Sequence, residues 1–585
     1  MPKSLAAHAG AFLFLLLALQ ADARGLTPAE ATAIQPTDQV VAMVQLSQQP
    51  SARAAVAEAE VPPAHESPQL LPKTERLASI DLHRIGDFGK NLHRWLPLFL
   101  GLLFGLFAFL VIDAIWGAEW EGKGEGETCM ARAGARVAGN TRRAWHSLFA
   151  DGGYAPAVGM RALAMLWVVW FHCVASSIHA ELRAPVLMGT EDPARKRSLG
   201  ENISQAWFLH IFAMSGDIGV DLFFVLSGFL LGGMLNAEMK KSGGYISLFR
   251  FYVRRWFRIV PAYASAMAFS VLLDENDRAF CPDLWWSHLM FIWRPRDGYW
   301  DKNCMVHTWS IAVEFQMYLI TPPLMFVAYH LAARSAGRLH PTISYMLVLA
   351  IGWVVCVCFR ISNADLALGG SHAYLRIHGR CAPYFCGLAA AIAVDQCKRE
   401  PFSFPGKYTR AVGAACSWLI LLFVAIFGAG PGYFLTSSTM GVWYKRHMYW
   451  LFCLHTIMGR PLIGLAAAFL LSLAITGFAP RLAAVLSWRF WRPWAALSYS
   501  IYLLQYLGMQ PWELEISHRI DVTNQSNNLF LGFVIMHGKL IVVMLCTVPL
   551  AIANYVFVEH PLQMFGRTVA TRLTSPAASA KLPPK

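Results

Sequence analysis

The residues with the clearest capacity for chemistry lie in one apolar stretch, Gly159 to Cys173, which reads GMRALAMLWVVWFHC. Arg161 stands at its start and His172 well inside it. Eleven positions separate them, which on a helix of 100° per residue is three turns plus about 20°. Both side chains therefore leave one helix face, about 16 Å apart along the axis. If the helix crosses a bilayer, Arg161 sits at one interface and His172 near mid-depth, where an imidazole is costly and faces the bundle interior or a wet cavity. On its own such a histidine reads as a core residue satisfied by hydrogen bonds. Four further polar clusters change that reading.

The first is Asp217 and Asp221 in SGDIGVDLFFVLSGFLLGGML, with Ser227-Gly228 along the same run. Asp217 reads as a carboxylate at the membrane edge and Gly228 as a close packing contact. Asp221 lies deeper and is a candidate for pairing or function. The second is FYVRRWFRIVPAY, where Arg254 and Arg258 share a face by i, i+4 spacing and Arg255 points elsewhere. Guanidiniums grouped at a membrane entrance suit bidentate phosphate binding, though they also serve as ordinary interfacial anchors. The third is CMVHTWSIAVEFQMYLITP, with His307, Trp309, Ser310, Glu314 and Tyr318. Ser310, Glu314 and Tyr318 follow each other at i, i+4, and an intramembrane glutamate is a functional candidate by default. The fourth is ALSYSIYLLQ, whose Tyr499, Ser500 and Tyr502 read as polar glue between helices.

Positioning these residues is a task for membrane helices. Of the 585 residues 56% are hydrophobic and 15% charged, where soluble chains carry about 25% charged. The net charge of +13 serves orientation in such a chain, and nothing in the sequence resembles a nucleic-acid reader. Most of the twelve cysteines fall singly in apolar segments, so neither a metal site nor a disulfide-dense module is indicated. The chain reads as an all-α polytopic membrane protein.

In order, residues 1–23 have the pattern of a secretory signal peptide cleaved after Ala23. Residues 24–94 read as a disordered exported segment. A first span at 95–117 and a basic cytosolic linker at 118–155 follow. Further spans are expected near 157–177, 216–235, 257–274, 308–328, 343–360, 381–396, 411–429, 461–478, 494–510 and 530–558. With the first they make eleven, and a tail at 566–585 closes the chain. The amphipathic segment 443–460 is expected to lie along the membrane.

With an exported N-terminus, the loops assigned to the cytosol carry 24 lysines and arginines against 14 in the opposite loops. That is the sign of the positive-inside rule. The sequons at Asn202 and Asn524 then face the exterior, as do Cys281 and Cys304, where a disulfide would persist. The expected placement is an integral membrane protein of the secretory route, N-terminus lumenal or extracellular and C-terminus cytosolic.

Taken in order, Arg-x10-His, GVDLFFVLSGFLL, RRWFRIVPAY, HTWSIAVEFQMYLITP, LSYSIYLL and VEHPLQ resemble the membrane-bound acyltransferase type 3 family. That family includes bacterial glycan O-acetylases and the animal nose-resistant-to-fluoxetine branch. The resemblance covers about residues 155–565. It implies a ten-helix bundle, beside one extra N-terminal span, in which an acyl group (acetyl by default) from cytosolic acyl-CoA reaches a hydroxyl acceptor on the other side, a glycan before other classes. Acyl-CoA is then a co-substrate, with no bound cofactor and no metal.

Under it, Arg161, Arg254, Arg255 and Arg258 hold the donor phosphates. His172 is general base or transient acyl carrier, and Glu314 or Asp221 orients the histidine or the acceptor. His307, Trp309, Ser310 and Tyr318 line the acceptor side. Gln505 departs from the pattern, standing where the family often has histidine. Two other readings keep the same polar residues: a transporter lining its pathway with them, and an inactive family member. No convincing internal repeat supports the first.

Overall fold

A computed structural model of the chain describes residues 139–150, 153–187, 212–213, 215–292, 304–335, 340–362, 376–400, 407–429, 449–511 and 529–573. The expected signal peptide, exported segment, first span, both sequons and the end of the tail lie outside these residues. Among them, all regular structure is helical. A short helix α1 (139–147) precedes α2 (Ala155–Leu187), and a 3-10 turn, Ser215–Asp217, opens α3 (Ile218–Ser242). Next come α4 (Leu248–Leu273), α5 (Glu275–Leu289), α6 (Trp309–Ser335) and α7 (Pro341–Ser362). Then follow α8 (Ala382–Arg399), α9 (Lys407–Ala429), α10 (Tyr449–Ile475) and α11 (Pro480–Leu486). Last are α12 (Trp491–Pro511), α13 (Leu529–Asn554), a π turn at Tyr555–Glu559 and α14 (His560–Leu573).

Seven of the described helices are long and apolar enough to cross a membrane. Their outer faces agree with that environment. Leu347, Ile351, Val354 and Val355 on α7, and Trp418, Leu419 and Leu422 on α9, are exposed. Lipid chains match such apolar surfaces. Helices are stable there because they pair every backbone group internally.

A close seam joins α3 and α8. A Cβ on Gly228 would stand 2.2 Å from the Tyr384 carbonyl oxygen, and one on Gly387 would stand 2.1 Å from that of Val225. The two backbones meet through reciprocal glycines, as membrane helices do when dispersion has to replace hydrophobic driving force. Gly387→Val is expected to cost at least the ~1–3 kcal/mol typical of overpacking and to abolish a monodisperse detergent elution peak. Gly233 on the same α3 has open space around its Cβ position, so Gly233→Ala should elute as the parent does.

The segment 443–460 departs from expectation. Its described part, from Tyr449, runs unbroken into α10 and does not form a separate in-plane helix. At its end Arg460 is buried and paired with Asp217 and Asp221.

Outside the spans, α5 is tied to the start of α6 by the Cys281–Cys304 disulfide, Cα to Cα 4.6 Å. Beside it the Asp277 carboxylate accepts the Met305 N–H at 2.7 Å and the Ser270 hydroxyl. Burial and the neighbouring Asp274 push the Asp277 carboxyl up to about 6. A raised acid binds its proton more tightly when folded, so this stabilisation is complete below the unfolded carboxyl's range and is lost as pH rises through about 6. Melting in detergent should weaken from pH 4 to 7, with a shallower slope in Asp277→Asn.

Candidate active site

Met165, Val169 and Cys173 form one stripe of α2 and pack with Leu497, Ile501 and Met509 of α12 in one core cluster. That packing brings Gln505, wholly buried, against His172. His172 Nδ1 lies 3.0 Å from Gln505 Oε1, while Gln505 Nε2 donates to the Tyr502 carbonyl at 2.9 Å. With its nitrogen committed to a carbonyl, the amide presents only an acceptor to the imidazole. Nδ1 therefore carries the proton, and Nε2 keeps the lone pair a general base needs.

Tyr506 joins this histidine to a second one. Its ring lies 5.4 Å from His172 and stacks on His307 at 4.6 Å, and the two imidazoles are 6.4 Å apart. His307 sits in a 3-10 turn, Val306–Thr308, that is clamped from several sides. Its Nε2 bonds the Leu503 carbonyl at 3.1 Å, and its own carbonyl accepts the Tyr502 hydroxyl. Since that phenol has one proton to give, Ser310 Oγ donates to it at 2.8 Å. Tyr263 holds Thr308 at 2.7 Å. His172, Gln505 and His307 are thus fixed by α2, α12 and the start of α6.

The other polar centre surrounds Arg161. Arg258, Glu314, Tyr318 and Glu559 are all within its electrostatic reach. Arg255 joins them, its guanidinium 5.7 Å from the Tyr318 ring. Glu314 Oε1 accepts both the Ser227 and the Tyr318 hydroxyls. Glu559 accepts from Ser500 at 2.7 Å and from Gln563 at 3.0 Å, and Asn554 donates to Ser500 at 3.0 Å. Three guanidiniums thus face two carboxylates, leaving one formal positive charge for an anion. The π turn that carries Glu559 adds a residue to the helical ring, a departure that recurs at functional sites.

Two expectations about this centre change. Arg255, not Arg254, accompanies Arg258. Arg254 lies among Arg250, Glu238 and Arg567 and reaches Thr571 on α14 at 3.4 Å. The i, i+3 pair is as close on a helix as the i, i+4 pair, and the centre lies on its flank. Glu314 belongs to the arginines and not to the histidines, because seven residues past His307 carry it about 10 Å along α6.

Asp221 is engaged elsewhere. Arg460 Nη1 lies 2.8 Å from its Oδ2 and Arg380 Nη1 3.3 Å from its Oδ1, while Arg460 also pairs with Asp217. Trp309 lies against this network, its ring 5.1 Å from the Arg380 guanidinium. His172 therefore donates its hydrogen bond to Gln505, while Glu314 is met by hydroxyls and Asp221 by arginines. Sequence reasoning missed Gln505, Glu559, Arg380 and Arg460 as site components. The signal for Arg460 was present, since it precedes an apolar run of PLIGLAAAFLLSLAI. Among the described residues, the grouping nearest to a metal site is Asp277 with Cys281 and Cys304, whose sulfurs are spent in the disulfide.

Residues 159–554 match the family model described as Acyltransferase domain. The chain is 22% identical over 403 residues to Nose resistant to fluoxetine protein 6 of Caenorhabditis elegans, covering 61% of this chain and 45% of that one. It is 31% identical over 130 residues to Peptidoglycan O-acetyltransferase OatA of Listeria monocytogenes, 20% of this chain and 21% of the relative. A putative peptidoglycan O-acetyltransferase of Bacillus subtilis, YrhL, is 33% identical over 168 residues, 25% of each chain. The chain spans less than half the length of these relatives. No solved structure matches it. The family match takes in Arg161, His172 and Gln505 and stops five residues short of Glu559. Well over half of the sequence lies inside it, and the chain belongs to the membrane-bound acyltransferase type 3 family.

Proposed function

We propose that the protein transfers an acyl group, acetyl in the first instance, from acyl-CoA to a hydroxyl of a glycan-type acceptor across the membrane. The observation that carries this is the two-ended polar core along α2. A positively charged centre surrounds Arg161, and an imidazole with a fixed tautomer stands about 16 Å further along the same face. Coenzyme A carries phosphates at one end and its thioester at the other. Arg161, Arg255 and Arg258 suit the first, and Glu314 and Glu559 keep those guanidiniums apart and oriented. At the far end, His172 Nε2 takes the acceptor hydroxyl's proton as its oxygen attacks the thioester carbonyl. The C–O bond forms as the C–S bond breaks, and the coenzyme leaves as the thiolate. His307 and Tyr506 shape the acceptor side. Asp221, with Arg380 and Arg460, holds α3 to α10 and to the short helix Ile377–Arg380 that leads into α8. The names of OatA and YrhL support a glycan as acceptor.

The arginine end faces the cytosol in this reading, in keeping with the excess of basic residues on that side. Adding α8, α9 and α12 to the seven long apolar helices gives ten crossings, and 95–117 would be an eleventh.

The test uses sealed vesicles with the cytosolic face outward, given external [14C]acetyl-CoA and lumenal glycan acceptor. An O-acetylated lumenal product is expected. Intact acetyl-CoA inside with no acylated product would mean a transporter. In the same assay Gln505→Leu should lose 10–100-fold in rate at unchanged expression, because the imidazole is no longer held in the base-competent tautomer.

A further inference from the structure

Buried in the apolar helix α13, in a segment that neither the motifs nor the proposed transfer uses, is Lys539, 1% exposed. Its Nζ donates to Ser176 Oγ at 2.7 Å. Ser176 lies on α2 four residues after His172, so it shares the face that Arg161 and His172 define and stands one turn, about 6 Å, further from Arg161. It is half-buried, whereas the lysine behind it is enclosed. Its hydroxyl also reaches the Cys173 carbonyl at 3.2 Å and Met509 Sδ at 3.9 Å.

An ionisable side chain inside a membrane bundle is costly to insert and marks a pathway or a reacting group. An accessible hydroxyl with an amine behind it, at hydrogen-bond distance, is the arrangement of a serine nucleophile and its proton partner. A direct transfer asks donor and acceptor to meet at His172 together. A hydroxyl one turn beyond His172 lets the two half-reactions occur in sequence, with the acyl group parked on the acceptor side in between.

Resting on the proposed acyl transfer, we propose that Ser176 is the acyl carrier of this protein, with Lys539 as its proton partner. In the first half-reaction Ser176 Oγ attacks the thioester carbonyl carbon. The C–O bond forms, the C–S bond breaks, and the hydroxyl proton passes to Lys539 Nζ in its free-amine form. The coenzyme leaves as a thiolate and takes its proton from water. In the second, the acceptor hydroxyl attacks the ester carbonyl and gives its proton to His172 Nε2. The C–Oγ bond breaks, the Lys539 ammonium returns its proton to Oγ, and His172 releases its own to water. Each residue ends as it began.

The test incubates the full chain in proteoliposomes with [14C]acetyl-CoA and no acceptor, followed by denaturation and peptide mapping. Label is expected on Ser176 as an oxygen ester that survives neutral hydroxylamine. In Ser176→Cys the label should sit on the new thiol and be released by neutral hydroxylamine, a change that a packing role for Ser176 would not produce. Ser176→Ala should show no label and at least a 100-fold loss of transfer, and Lys539→Met at least a 10-fold slower labelling. Label on His172, or no label in a wild-type protein that turns over, overturns the proposal. So does transfer at the wild-type rate by Ser176→Ala. Were Ser176→Ala to lose its fold, the Ser176→Cys label alone decides. A wild-type protein without any acyl transfer would instead sink the reading on which the carrier rests.

Discussion

Replacing His172 by alanine is expected to lower acetyl transfer by about 10²–10⁴-fold, the usual contribution of a positioned general base. Elution in detergent should not change. The structure gives reason for both halves of that expectation. Gln505 Oε1 accepts from His172 Nδ1, yet Gln505 is held independently by its bond to the Tyr502 carbonyl. Losing the imidazole therefore leaves α12 in place. The packing of α2 rests on Met165, Val169 and Cys173, none of which the substitution touches. His307 keeps its own stack on Tyr506 and its bond to Leu503. Measured as product formed per amount of folded protein, a fall with normal abundance places His172 in the chemistry. A variant that transfers at the parental rate removes it from the chemistry and leaves the arginine centre to be explained as a binding site.

Much of this arrangement was legible in the sequence, and the reason is periodicity. Arg161 and His172 share a face because eleven residues make nearly whole turns, and α2 presents them so. The long apolar helices from α2 through α7 fall where the hydropathy puts them, because lipid leaves the backbone no alternative. The Gly228 contact was readable as close packing, although its partner Gly387 was not. What one helix cannot reveal is which neighbour answers a polar residue. Asp217 read as an edge carboxylate, and its partner Arg460 lies 243 residues away. Gln505 was noticed as a departure from the family pattern, but its bond to His172 crosses 333 residues. Arg255, expected to point away from Arg258, stands with it in the centre around Arg161 for a narrower reason. Spacing fixes the angle between side chains but not the side on which the rest of the bundle lies.

The second large effect is expected from the buried ion pairs, and it separates a structural from a chemical role for Asp221. Its carboxylate is wholly buried and pairs with Arg460 at 2.8 Å and Arg380 at 3.3 Å. Removing one partner from a buried network leaves the others charged and uncompensated, at a cost of about 3–5 kcal/mol. Asp221→Asn should therefore lower the melting temperature sharply or abolish folding. Asp217→Asn should cost less, since that side chain is 17% exposed and shares Arg460 with Asp221. Neutralising Arg460 as well tests the interpretation. In Asp221→Asn with Arg460→Met, one cation and one anion leave together, and the loss should fall short of the two single losses summed. Non-additivity of that sign assigns Asp221 to holding α3 against α10 and the short helix that leads into α8, where Gly228 and Gly387 already demand an unbroken seam. Were Asp221→Asn to melt as the parent does and yet lose transfer, the carboxylate would be acting on substrate, and the pairing with Arg380 and Arg460 would describe only its resting state.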